Sequence, residues 1–154
     1  GPAIHRYLET AISSQWIPLG RISPDGVGPG SAAMVALCDE GAGLVLVTGG
    51  TGPAPRDQTP EAMTAVVDRA LPGFGELMRR VSFETVPTAI LSRQGAGVRG
   101  STLIVTLPGR PAAIKVCLDA VFPAIPYCLE LIGAGLLETH PDVIRSFRPG
   151  QPQP

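Results

Sequence analysis

Residues 44–63 read LVLVTGGTGPAPRDQTPEAM, and the order of residue types in them decides the fold. Leu44 to Val47 is a continuous apolar run without alternation, which is how a strand covered by helices on both faces reads. Three glycines and two prolines follow at once. Thr59-Pro60-Glu61 then supplies a helix start: a hydroxyl residue for the N-cap, proline at the first helical position and an acid in the first turn. Strand, glycine loop and helix form the repeating unit of an α/β protein, in which ligands gather beyond the carboxyl ends of the strands.

Working outward, the spacing of Ile4, Leu8 and Ile12 predicts a helix over 2–13. Residues 16–22 read as a short extended segment and 23–26 as a turn. Ser31 is the expected cap of a helix running to Glu40, ended by Gly41 and Gly43. The helix after Thr59 is expected to carry Met63, Val66 and Val67 and to stop before Pro72. A further helix is expected from Gly73 to Glu84, and a short strand at 88–91. Gly95, Gly97 and Gly100 make a turn-rich link to a second clear strand at 102–107. Helices follow at 111–121 and 123–132. The expectation is one α/β domain over residues 1–149, with a mostly parallel sheet and a disordered tail at 150–154.

Composition bounds the function. The chain has 154 residues, 44% hydrophobic and 16% charged, with a formal net charge of −1. This is far from the low-hydropathy, high-charge composition of disordered chains, and no net basic charge points to nucleic acid or an anionic membrane surface. No apolar stretch is read as reaching the roughly 18–20 residues that cross a bilayer, so a cytoplasmic location is expected. The three cysteines, Cys38, Cys117 and Cys128, show no CxxC spacing and read as buried free thiols. His5 and His140 read as solvated side chains.

Gly49-Gly50-Thr51-Gly52 removes side chains where a backbone would meet a ligand. Glycines permit positive φ, so successive N–H groups can converge on an anion, and Thr51 adds a hydroxyl. A tight turn with no ligand remains the alternative. The loop is neither GxGxxG nor a P-loop, since no GK[ST] follows. Arg56 could hold a phosphate and Asp57 a magnesium ion carried on one, or Asp57 caps the loop locally and Arg56 is solvated. Asp25 is an ordinary turn aspartate unless its turn approaches the glycine loop. Ser92-Arg93, Arg99-Gly100-Ser101 and Pro108-Gly109-Arg110 add hydroxyls, guanidinium groups and backbone donors at strand ends or linking loops. No Ser-His-Asp spacing indicates covalent catalysis.

Taken together, TGGTGPAPRDQTPEAM, LPGFGELMR, the long stretch from VPTAILSRQ to PYCLELI, and FRP resemble the molybdopterin adenylyltransferases of molybdenum cofactor biosynthesis, to which the G domain of gephyrin is related. The string GGTG-x-x-x-RD-x-TPE is highly specific in combination. The resemblance implies a three-layer α/β/α fold, a homotrimer, and adenylylation of molybdopterin by Mg-ATP with release of pyrophosphate. The activated product would pass to the enzyme that inserts molybdate. It also implies site residues. Gly49, Gly50, Thr51 and Gly52 would form the phosphate loop, with Arg56 beside it, and Asp57 would support magnesium-dependent chemistry. Asp25 matches an aspartate implicated in the site. Ser92 and Ser101 would line the pocket, and Pro108, Gly109 and Arg110 would border the substrate.

Two departures go with the resemblance. The family's first strand and its serine-bearing loop have no counterpart ahead of Gly1-Pro2, and GVGPG at 26–30 replaces a more acidic, helix-forming run, so the second helix is expected to start late. The alternative function is a molybdopterin-binding trimeric module of the same fold without efficient adenylyl transfer. FPAIPYCLELI reads equally as an oligomer face or as core.

Overall fold

The computed structural model describes residues 1–152. Ten regular elements follow one another: α1 (Pro2–Ala11), α2 (Val27–Asp39), β1 (Leu44–Thr48), α3 (Thr59–Thr64), β2 (Arg69–Ala70), α4 (Pro72–Phe83), β3 (Ala96–Arg99), β4 (Thr102–Leu107), α5 (Pro111–Val121) and α6 (Ile125–Leu131). Short 3-10 turns occupy Pro87–Leu91 and Phe122–Ala124.

The four strands form one sheet in the order β1-β4-β3-β2. β1 and β4 are parallel, in register from Leu44↔Leu103 to Thr48↔Leu107, whereas β3 is antiparallel to both β4 and β2. The sheet is therefore mixed, with a single parallel pair where a mostly parallel sheet is expected. The α/β/α layering holds. Leu103, Val105 and Leu107 face a core made with α1, α4, α5 and α6, while Val45 and Ile104 face Met34 of α2 and Ala62 and Met63 of α3. β4 is buried along its whole length, which is why its sequence, like that of β1, lacks alternation.

Four local expectations give way to tertiary pairing. α2 begins at Val27 with Gly26 as N-cap, not at Ser31; the Ser31 hydroxyl instead donates to Ala62 O (3.0 Å), joining α2 to α3. α3 stops at Thr64 because Asp68 N donates to Val98 O (2.7 Å) and pulls residues 68–70 into the sheet. Residues 87–91 form a 3-10 turn rather than a strand, since Pro87 has no N–H to give a ladder and its fixed φ suits a helical first turn. The link at 96–99 is a strand, and Gly97 is required in it: a Cβ there would lie 2.7 Å from Val67 Cγ1 and 3.0 Å from Arg69 O.

Helices α5 and α6 with the turn between them span Pro111–Leu131, 21 residues that include an 18-residue window of mean hydropathy 1.6, so by length and composition this run does reach bilayer-spanning size. Its fully buried Cys117, Leu118, Phe122 and Ile125 pack against the sheet, as core helices do. The same packing assigns FPAIPYCLELI to the core through Phe122, Ile125, Pro126 and Leu129. All three cysteines are free, with Cys117 buried and the other two half-buried; burial pushes the thiols of Cys117 and Cys128 up, away from thiolate chemistry. His5 pairs with Glu9 on the surface of α1, and His140 is exposed. Of the tail, Gln151 N bonds Arg148 O (3.2 Å), and residues 153 and 154 lie outside the described residues. On its other side β1 borders a cavity of about 990 Å³, walled by Ile4 and Leu8 of α1, by Ile12 just beyond it and by Trp16.

Candidate functional site

Because β1 and β4 are parallel and in register to Thr48↔Leu107, their carboxyl ends lie side by side. Two loops therefore leave the sheet at one place. They are tied together where they start: Gly49 N donates to Leu107 O (3.1 Å) and the Thr48 hydroxyl to Pro108 O (2.9 Å). A Cβ on Gly109 would sit 3.6 Å from Gly49 Cα. The glycine loop and the Pro108-Gly109-Arg110 loop thus form one rim, with Arg110 as the N-cap residue of α5.

The glycine loop is held entirely from behind. Four consecutive carbonyls each accept an internal bond: Gly49 O from the Thr59 hydroxyl (2.8 Å), Gly50 O from Thr59 N (3.1 Å), Thr51 O from Arg93 N (2.7 Å) and Gly52 O from Arg93 Nε (2.9 Å). In a trans peptide the C=O of one residue and the N–H of the next point in opposite directions, and no cis bond occurs here. The N–H groups of Gly50, Thr51 and Gly52 are therefore turned away from Thr59 and Arg93. Among the described residues none of the three meets an acceptor. Three consecutive unpartnered N–H groups at a strand's carboxyl end can serve as donors to an anion.

This geometry explains the glycines. Gly50 has φ 65°, and a Cβ on it would collide with Thr59 Oγ1; a Cβ on Gly52 would lie 2.8 Å from Asp57 Oδ2. Thr59 is the first helical residue, with Gln58 as N-cap, so its hydroxyl serves the loop rather than the helix end.

Asp57 is half-buried at the loop's end. Its Oδ2 accepts from Ala54 N (3.1 Å) and its own N–H donates to Ala54 O (2.9 Å). One carboxylate oxygen thus fastens the loop, and the other forms no hydrogen bond with the described residues. Arg56 and Arg110 are exposed, and among the described residues neither is ion-paired. Asp25 is exposed in the turn before α2; its neighbour Gly26 approaches the loop, since a Cβ there would lie 3.9 Å from Gln58 Oε1. Ser92 directly precedes Arg93 and ends the 3-10 turn.

Ser101 stands apart. It precedes Thr102 at the amino end of β4, about 20 Å from the glycine loop at roughly 3.3 Å per strand residue. There it lines a separate cavity of about 320 Å³ with Cys38, Arg99 and Gly133. The structure thus gathers Gly49, Gly50, Thr51, Gly52, Asp57, Pro108, Gly109 and Arg110 at one rim, brings Arg56, Ser92 and the Asp25 turn alongside it, and leaves Ser101 out.

Two residues of the rim carry roles that sequence reasoning did not give them. Arg93 reaches the loop from the segment before β3, which lies at the carboxyl end of β4 because the two strands are antiparallel, and Glu61, read as a first-turn acid, receives its guanidinium. The Arg93 bond holds the Glu61 carboxyl below the usual carboxylate range. No spacing rule joins residue 93 to residue 51; the one available signal was a guanidinium just after the strand expected at 88–91.

Comparison with known proteins gives this geometry a context. The family model described as "Probable molybdopterin binding domain" matches residues 19–127. A molybdopterin adenylyltransferase of Helicobacter pylori (strain ATCC 700392 / 26695) is 55% identical over 120 residues, 77% of this chain and 68% of that one. The enzyme of the same name from Haemophilus influenzae is 47% identical over 161 residues, covering 96% of this chain and 82% of its own. Among solved structures, the molybdopterin biosynthesis Mog protein of Mycobacterium ulcerans superposes with a TM-score of 0.79 at 36% identity, over 88% of this chain and 86% of that one.

Proposed function

The chain belongs to the molybdopterin-binding domain family, and from that membership we propose that it is a nucleotidyltransferase of molybdenum cofactor biosynthesis, a molybdopterin adenylyltransferase. The observation that carries the reading is the set of three N–H groups, from Gly50, Thr51 and Gly52, presented without protein acceptors at the joined ends of β1 and β4.

Adenylyl transfer asks little covalent help of a protein. An oxygen of the molybdopterin phosphate attacks the α-phosphorus of ATP. The bond from that phosphorus to the bridging oxygen breaks, and pyrophosphate leaves with the electron pair. What is needed is alignment and compensation of charge. The loop N–H groups supply fixed donors for phosphoryl oxygens as charge builds in the transition state. Arg56 and Arg110, unpaired and exposed on either side of the rim, receive the polyphosphate and the pterin phosphate. Pro108 and Gly109 border the substrate, with Ser92 beside them.

Among the described residues no group of three or more His, Cys, Asp or Glu side chains could enclose a metal. A magnesium ion that travels on the nucleotide's phosphates needs only one or two carboxylates from protein, and Asp57 fits that need with its remaining oxygen. Asp25 supplies a second acid where its turn meets Gln58. When bound, the ion would neutralise charge on the phosphates.

A homotrimer and a hand-over to the molybdate-insertion enzyme in the cytoplasm complete the proposal. Exposed Phe83, Val86, Ile90 and Leu91 offer apolar surface to a second copy.

The test is transfer from Mg-ATP to molybdopterin by the parent chain and by Asp57→Ala. Loss of transfer in the variant with pterin binding retained supports both the enzyme and the role of Asp57. Pterin binding without transfer in the parent would replace the enzyme with the binding module.

A further inference from the structure

We propose that Arg93 is the positioning residue of the glycine loop, setting the direction of the Gly52 N–H and the place of Asp57 from a site that touches no substrate. The proposal rests on the adenylyltransferase reading for its kinetic consequence, but its geometry stands alone.

Arg93 directs its backbone N–H and all three guanidinium nitrogens to the loop and the helix behind it. Its backbone N–H goes to Thr51 O (2.7 Å), Nε to Gly52 O (2.9 Å), Nη2 to Asp57 O (2.6 Å), and Nη1 to the Glu61 carboxylate. A guanidinium fork reaches several diverging acceptors at once; a lysine ammonium acts as a point charge. By the opposition of C=O and N–H within a peptide, the backbone bond to Thr51 O, which any residue at 93 keeps, fixes the direction of Gly52 N–H, while the side chain holds Gly52 O and, through Asp57 O, fixes the direction of Gln58 N–H. Gln58 N–H also meets no protein acceptor among the described residues. Arg93 thus orients donors at both ends of the loop and anchors the residue offered to magnesium.

Arg93 is itself braced. Arg79 of α4 donates from Nη1 to Gln94 O (2.8 Å) and to Ser92 O (3.4 Å), the carbonyls on either side of Arg93. Gly75, one turn earlier on α4, lets the helix come close: a Cβ there would lie 2.5 Å from Gln94 O. The support runs from α4 through Arg79 to the backbone at 92–94, and from Arg93 to the loop.

The test compares the parent chain with Arg93→Ala, Arg93→Lys and Glu61→Gln. Each is read by steady-state transfer from Mg-ATP, by hydrogen exchange at the loop amides, and by thermal melting. Arg93→Ala is expected to lower kcat by about 10²-fold, the cost of a misplacement near 1 Å, with a much smaller change in the KM for ATP. Exchange should accelerate at Ala54 and Asp57, whose N–H groups are bonded within the loop, and not in β4. Arg93→Lys should recover little, and Glu61→Gln should lose less than Arg93→Ala, because Gln still accepts from the guanidinium.

A folded Arg93→Ala protein with parental kcat, or with unchanged exchange at Ala54 and Asp57, overturns the proposal. So does exchange that rises equally in β4, which marks Arg93 as a general stabiliser. If Arg93→Ala fails to fold, Arg93→Lys and Glu61→Gln decide by the same readouts. If the parent chain transfers no adenylyl group, the adenylyltransferase reading fails, while the exchange data still decide the role of Arg93.

Discussion

The molecule has two glycine-rich stretches, and they do opposite things. At 49–52 the carbonyls are bound from behind and the N–H groups of Gly50, Thr51 and Gly52 are left open. At 95–100 the donors are consumed: Gly95 N donates to Thr106 Oγ1 (2.8 Å), Gly97 sits in the antiparallel ladder opposite Ile104, and Gly100 N donates to Asp68 Oδ2 (2.6 Å). Glycine in the second stretch makes room for Val67; in the first it makes room for Thr59 Oγ1 and Asp57 Oδ2, which hold the loop with its N–H groups open. What separates a site from a packing device is where the N–H groups go, not how many glycines are present.

The largest effect should come from breaking the first stretch. Gly50→Ala places a Cβ against Thr59 Oγ1 at φ 65°, a region that L residues enter at a cost of about 1–2 kcal/mol. The loop must turn, and its donors turn with it. Adenylyl transfer should fall about 10²–10³-fold, as when a transition-state donor is lost. An enzyme with parental turnover would show that the loop amides do not hold phosphate.

Breaking the second stretch should cost stability instead. Gly97→Ala forces Val67 and the backbone at Arg69 apart, worth about 1–3 kcal/mol for overpacking. In a chain of this size that lowers Tm by about 2–4 °C per kcal/mol. Turnover per folded molecule should stay at the parental level. A thermal melt paired with kinetics on the folded fraction separates the two effects, and equal loss of turnover in both glycine variants would collapse the comparison.

The same contrast explains what the sequence could reveal. β1 and β4 were legible because strands covered on both faces carry uninterrupted apolar runs, and the helix start at Thr59-Pro60 is local chemistry. β3 was not legible, because Gly95, Gly97 and Gly100 look like turns until Val67 is known to press on Gly97. The early end of α3 was decided by a partner distant in the chain, whereas the 3-10 turn at 87–91 follows from Pro87 itself. At the site, the glycine loop and the Pro108-Gly109-Arg110 loop were legible as strand ends. Their meeting depends on the parallel register, and the part played by Arg93 depends on a contact spanning 41 residues. Ser101 was misplaced for the converse reason: RGST stands at the start of a strand, and the site is built at the ends.

Hydroxyl variants at the two ends of the sheet sharpen this further with smaller effects. Thr59→Val deletes the donor to Gly49 O and should cost about 0.5–1.5 kcal/mol, with turnover reduced because Gly50 N–H loses its orientation. Ser101→Ala is exposed at the other end and should stay within about 0.5 kcal/mol of the parent in stability, as remote surface changes do, with turnover unchanged. A fall in turnover for Ser101→Ala would place that hydroxyl back in the site, through a neighbouring copy of the chain.

The smallest expected effect is a dependence of the loop on pH. The Arg93 bond lowers the Glu61 pKa in the folded protein. A carboxyl with a depressed folded value stabilises the fold above its unfolded pKa, and that contribution is lost as pH falls through the folded value. The tie between Glu61 and Arg93 should therefore persist at neutral pH and release below the ordinary glutamate range, near pH 4 and under. Both side chains are partly exposed, so salt screens the pair and the effect is modest. The readout is the amide NMR shift of Gly52 and Gln58 against pH, in the parent and in Glu61→Gln, at low and high salt. Gly95, whose N–H rests on a neutral hydroxyl, is the internal reference. A parental titration at Gly52 that vanishes in Glu61→Gln and leaves Gly95 still would tie the open glycine stretch, and not the packed one, to a charge. Identical curves in parent and variant would show that Glu61 only accompanies Arg93, and that the three backbone bonds from Arg93 hold the loop unaided.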